Sequence, residues 1–167
     1  MQYSDLTTER LFLRELRLDD AEEIFRLRSN QDVNALIDRP SAVTIDDAIE
    51  FIKKIKTLAA NREVIMWVIT LMGEAKLIGT ILYWHIEWEN RKAEIGYELL
   101  PEYWGKGIMA ETLRKVIGFG FEQLKFKKIT ADPKTNNKKS IRLLEKLGFE
   151  KTGETGDGYL IYELHAG

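Results

Sequence analysis

The stretch that most restricts this chain lies in its middle, Glu94-Ile-Gly-Tyr-Glu-Leu-Leu-Pro-Glu-Tyr-Trp-Gly-Lys-Gly-Ile-Met-Ala-Glu111. An extended run ends at Pro101, a short aromatic loop follows, and Gly105-Lys-Gly107 opens a helix. Glycines at such a turn let the backbone approach a ligand closely, because no Cβ intervenes. The free N–H groups and dipole of a helix start make an anion site suited to a phosphate, and Lys106 adds a donor. Taken alone, the two glycines serve equally well as a plain chain reversal. The spacing lacks the third glycine of a dinucleotide fingerprint and the Gly-Lys-Ser/Thr ending of a P-loop.

The flanking patterns predict an α/β sheet around this turn. Arg10–Leu16 alternates apolar and polar residues as a half-buried strand does. Acids at Asp19, Asp20, Glu22 and Glu23 open a helix, and Thr44 with Asp47 caps a second. Val64–Leu71 is almost wholly apolar, as expected of a strand covered on both faces. Gly73-Glu74 turns the chain into a strand over Lys76–Ile86, where Gly79 suggests a bulge. A third strand covers Arg91–Leu100, a long helix Gly105–Lys125, a short strand Lys128–Ala131 and a helix Asn137–Leu147 capped by Gly148. Phe149–Thr155 and Tyr159–His165 close the chain as a hairpin. The order is strand, two helices, three strands, helix, strand, helix, two strands.

Composition narrows the chemistry. The 167 residues suit one domain over 1–167, and a chain 44% hydrophobic and 31% charged buries a core. With no cysteine there is no disulfide scaffold, zinc finger, iron–sulfur cluster or thiol nucleophile. Only His85 and His165 are available as imidazole ligands, and no acidic cluster of suitable spacing accompanies them, so no metal site is expected. A net charge of −2 argues against direct nucleic-acid binding. No apolar run is long enough to span a membrane and the first ten residues are too polar for a signal peptide, so a cytoplasmic protein is expected. The charge is uneven: Arg114–Lys146 holds ten bases and three acids, a local +7 that leaves −9 for the remainder. Such a stretch is either a solvated helix face or the seat of a polyanionic small ligand.

Thirty residues beyond Gly107 stands Asn137-Lys-Lys-Ser-Ile-Arg-Leu-Leu-Glu-Lys-Leu-Gly-Phe149. Together the two segments resemble motifs A and B of the GCN5-related N-acetyltransferase (GNAT) superfamily, [Arg/Gln]-x-x-Gly-x-[Gly/Ala] and Asn-x-x-Ser followed by Glu-Lys-x-Gly-Phe. The element order agrees over nearly the whole chain. Tyr-Trp-Gly-Lys-Gly and Lys92-Ala-Glu-Ile-Gly-Tyr97 look like the RimJ/RimL branch of ribosomal-protein N-terminal acetyltransferases. One departure is Glu102, which stands where the family has Arg or Gln and is left without a role.

The resemblance implies a single mixed, mostly antiparallel sheet of six to seven strands flanked by about four helices, with acetyl-CoA as co-substrate. It implies a pantetheine arm laid along Glu98, Leu99 and Leu100, with the Leu99 amide facing the thioester carbonyl. Pyrophosphate would rest on the amides of Trp104, Gly105, Lys106, Gly107, Ile108, Met109 and Ala110, with Asn137 and Ser140 also at the cofactor. Glu94 is the first candidate for the base that deprotonates the amine, and Glu98, on the same strand face, competes with it. Ser140 is the candidate donor to the departing thiolate; Tyr159 and Tyr162 are the alternatives. Tyr83, Trp84, His85 and Trp88 either line an acceptor pocket or complete a core, and His85 is a possible proton relay. The acceptor expected is a protein N-terminus, ahead of a small amine such as an aminoglycoside, polyamine or amino acid. A non-catalytic CoA-binding sensor is the third option. Direct transfer in a ternary complex is favoured over an acyl-enzyme, since neither Cys nor a Ser-His-Asp pattern is present. Many relatives dimerise, which makes a homodimer possible.

Overall fold

The computed structural model describes residues 3–167. Met1 and Gln2, the start of the stretch read above as too polar for a signal peptide, lie outside the described residues. The apolar run at the centre forms strand β3, Ile65–Leu71, and its alternation divides two cores. Ile65, Trp67 and Ile69 face one, while Val68 faces the other. The first core lies under helices α4 (Ile108–Glu122) and α5 (Lys138–Lys146) and includes Leu113, Val116 and Leu144. The second lies under α1 (Ala21–Ser29) and α3 (Ile45–Ala60) and includes Ile24, Leu27, Ala48 and Ile52. Thr44 and Asp47 close the start of α3 reciprocally as a capping box, as their spacing predicts.

The sheet runs β1-β2-β3-β4-β5-β6-β8-β7. Its other strands are β1 (Leu6–Thr7), β2 (Leu11–Arg14), β4 (Gly79–Glu87), β5 (Lys92–Leu99), β6 (Lys128–Ala131), β7 (Glu150–Glu154) and β8 (Leu160–His165). Every neighbouring pair is antiparallel except β5 and β6. Among the described residues the count is eight strands and five α-helices, one of each more than the sequence suggests. The extra strand, β1, is two residues long, and the extra helix, α2 (Gln31–Asn34), is one turn capped by Asn30. Neither is long enough to leave a periodic pattern.

Two local expectations are corrected. Gly79 does not mark a bulge: it opens β4 opposite Leu99, where a Cβ would lie 2.4 Å from the Glu98 carbonyl oxygen. Its lack of a side chain lets β5 come close. The register slip lies instead between Trp84 and Glu87. Helix α4 begins at Ile108 rather than Gly105, because Gly105 and Gly107 take φ of 72° and 75°, left-handed values incompatible with a helix. Among the described residues no helix is long and apolar enough to cross a membrane.

Candidate active site

Among the described residues the sheet has one parallel seam, between β5 and β6, and it is short. Strands β5 and β6 pair only at Lys92↔Lys128, Ala93↔Ile129 and Glu94↔Thr130; β5 then runs on to Leu99 with no neighbour on that side. The Leu100 amide donates to Ile78 on the β4 side at 2.9 Å. Alternation therefore turns the amide and carbonyl of Leu99 toward the gap. The Leu99 carbonyl is taken by the Trp104 indole N–H at 2.7 Å. A cleft of about 310 Å³ follows the gap, lined by Tyr97, Glu98 and Leu99 from β5 and by the start of α4. Val33, Leu36 and Ile37, in α2 and the loop after it, close its other wall.

The expected anion cradle lines this cleft through Gly105, Gly107, Ile108, Met109 and Ala110. The first helical hydrogen bond of α4 runs from the Glu111 amide to Gly107 at 3.1 Å, so the amides of Ile108 to Ala110 precede the helical ladder. Trp104 also lines the cleft, but its amide is not free. The Trp104 amide donates to the Pro101 carbonyl at 3.0 Å and is committed within the turn Pro101–Tyr103. Lys106 contributes structure more than charge: its carbonyl accepts from Arg10 Nη1 at 2.9 Å, and its ammonium lies 5.6 Å from the Tyr103 ring. Arg10 also bonds Glu111 through Nε at 2.8 Å, and Thr8 donates to the same carboxylate. This clamp ties the β1–β2 turn to the glycine loop. Glu102 acquires a partner in Arg26 of α1, 2.8 Å away in an exposed ion pair. Of the basic stretch, Lys139 lines the cleft, 5.5 Å from the Trp104 ring.

Asn137 caps α5 through its side chain, which accepts from the Ser140 amide at 3.2 Å. That cap aims the buried Ser140 hydroxyl at Tyr97, and the two oxygens lie 2.5 Å apart. Burial pushes the Tyr97 phenol up to about 12, so it stays protonated and able to donate at neutral pH. Sequence reasoning missed Tyr97. The available signal was its place one residue before Glu98 on the opposite face of β5, the face that meets α5. The two terminal tyrosines are engaged elsewhere: Tyr162 donates to Glu145 and Tyr159 to Asp38, which Lys134 also holds.

On the other face of β5 the two carboxylates have different surroundings. Glu98 forms an ion pair with Arg39, both side chains only 10% exposed. Nearby, burial and the neighbouring Arg39 pull the Arg28 guanidinium down to about 10. Glu94 lies outside the lining of the cleft, with Oε2 2.7 Å from His85 Nδ1. Burial, reinforced by Asp132, raises its carboxyl above the usual range, while the His85 hydrogen bond acts in the opposite sense. The aromatic cluster divides. Tyr83 is core, bonded to the Val116 carbonyl, and Trp88 packs on Phe126, whereas Trp84 and His85 stay exposed beside Glu94. Among the described residues no three His, Asp or Glu side chains gather as a metal site.

This geometry has counterparts among known proteins. Residues 10–150 match the family model described as acetyltransferase (GNAT) domain. The chain belongs to the GNAT acetyltransferase family. It is similar to the uncharacterised N-acetyltransferase YoaA of Bacillus subtilis, 38% identical over 148 residues, which are 89% of this chain and 84% of that protein. It is 35% identical over 95 residues, 57% of this chain and 52% of the other, to YdaF of the same organism, provisionally named a ribosomal N-acetyltransferase. The structure of the microcin C7 self-immunity acetyltransferase MccE in complex with acetyl-CoA and AMP superposes with a TM-score of 0.82. The identity is 25%, covering 95% of this chain and 94% of that one. The protein is thus an acetyl-CoA-dependent N-acetyltransferase. Its cleft fits that co-substrate chemically: a curved row of main-chain amides suits a diphosphate, and an unpaired strand edge suits an amide-bearing arm.

Proposed function

We propose that this GNAT acetyltransferase acetylates the α-amine of a protein N-terminus, by direct attack in a ternary complex. What supports the acceptor class is that the gap between β5 and β6 leads to a face where His85 and Trp84 stand exposed beside the covered Glu94. The partial likeness to YdaF points the same way. When bound, acetyl-CoA supplies an electrophilic thioester carbonyl and a thiolate leaving group. The amides of Gly105 to Ala110 hold its phosphates, and Asn137 and Ser140 line the arm. The Leu99 amide donates to the carbonyl oxygen as negative charge builds there. Glu94 takes the amine proton. It lies three residues before Tyr97, roughly 10 Å along the strand, so the proton crosses by way of water. Ser140, backed by the protonated Tyr97, donates to the sulfur as it departs.

The test is an acceptor screen following thiol release, with peptides of varied first residue beside spermidine, aminoglycosides and free amino acids. Peptides turning over with the highest kcat/KM is the expected result. Turnover confined to small amines would overturn the acceptor assignment.

A further inference from the structure

His85 sits where the β4 ladder breaks. The register slips between Trp84 and Glu87, and His85 takes a left-handed φ of 48°. On a regular strand it would point away from its neighbour Trp84. Here the two rings stack at 4.2 Å and 16°, which brings the imidazole to the face that carries Glu94. The histidine side chain is 66% exposed and the glutamate it bonds only 16%. The ring therefore connects a covered carboxylate to bulk water. Backbone held in such a conformation by a bulge is a recurring sign of a side chain aimed for a task.

We infer that His85 is a positioning residue that orients the Glu94 carboxylate and passes the proton collected there out to solvent. Because His85 acts through Glu94, this role rests on the base assignment made above. The balance is simple. A proton arriving on Glu94 moves along the hydrogen bond to Nδ1, and the imidazolium releases one proton from Nε2 to water. The carboxylate is restored, and the solvent-open ring re-equilibrates its tautomer. The charged groups facing the pair are Lys92 on β5 and Asp132 just past β6. Neither is hydrogen-bonded to the ring, which leaves His85 as the route from Glu94 to water.

The experiment compares pH profiles and buffer dependence of kcat for the wild type, His85→Ala, His85→Gln and Glu94→Gln, using the best acceptor of the screen. His85→Ala should move the acid-side midpoint of kcat to higher pH, since the bond that favours the ionised carboxylate is gone. It should lower kcat about 10-fold, less than loss of the base itself, and make the rate rise with added imidazole. His85→Gln keeps a hydrogen bond to Glu94, so its midpoint should shift less while the imidazole response remains. A His85→Ala enzyme with an unmoved midpoint and no imidazole response overturns the role of His85 alone, provided Glu94→Gln is impaired. Wild-type rates in Glu94→Gln overturn the base assignment and the relay together.

Discussion

Glu94 and Glu98 are the same residue type on one face of one strand, a helical turn's worth of sequence apart, and they end in opposite states. Glu98 meets the Arg39 guanidinium, with both side chains nearly covered. Its carboxylate is held in a covered ion pair. Glu94 meets an imidazole that stands largely in water. Its carboxylate can exchange a proton with the surroundings. Strand position delivers a carboxylate; the partner from another element decides whether it is structure or chemistry.

The contrast breaks if the two glutamine variants behave alike. Glu94→Gln is expected to lower kcat by ~10²–10⁴ while coenzyme A affinity by calorimetry stays near wild type. Glu98→Gln should instead cost about 3 kcal/mol of stability in urea unfolding, because Arg39 is left buried without its counter-charge. Replacing both partners, Arg39→Met with Glu98→Met, should recover most of that loss. On the opposite strand face, Ser140→Ala should reduce kcat about 10-fold, a modest effect because a thiolate leaves readily even without full protonation. The smallest effect concerns Glu94 again. Its folded carboxyl is raised above the unfolded value, so the native state is penalised as pH rises through the folded pKa. Glu94→Gln should therefore melt slightly higher than wild type at pH 7, and the gap should close on acidification. A catalytic loss coupled to a stability gain would set Glu94 apart from Glu98 in a single variant.

The elements that organise themselves locally were legible in the sequence. Strand β6 has the predicted bounds Lys128–Ala131, and α5, Lys138–Lys146, lies one residue inside each predicted bound. The turn at Gly105 and Gly107 was legible because a positive φ selects glycine. What escaped were pairings between distant parts of the chain. Tyr97 with Ser140, Arg39 with Glu98, and Tyr159 with Asp38 join residues 43, 59 and 121 positions apart. Nothing in the spacing along one strand reports which side chain arrives from another element. The bulge fell at Trp84–Glu87 rather than Gly79 for a related reason. Gly79 answers to the approach of β5, a tertiary demand, and not to the twist of its own strand.

The Thr8–Arg10–Glu111 clamp joins positions 103 and 101 residues apart. A nascent chain that has delivered β1 and β2 holds half of this fastening and must wait for α4 to supply the rest. A clamp of such long sequence separation carries a large loop-closure cost, and coenzyme A affinity is expected to return late in refolding. Recovery of coenzyme A affinity during refolding would serve as a clock for the docking of the amino-terminal hairpin.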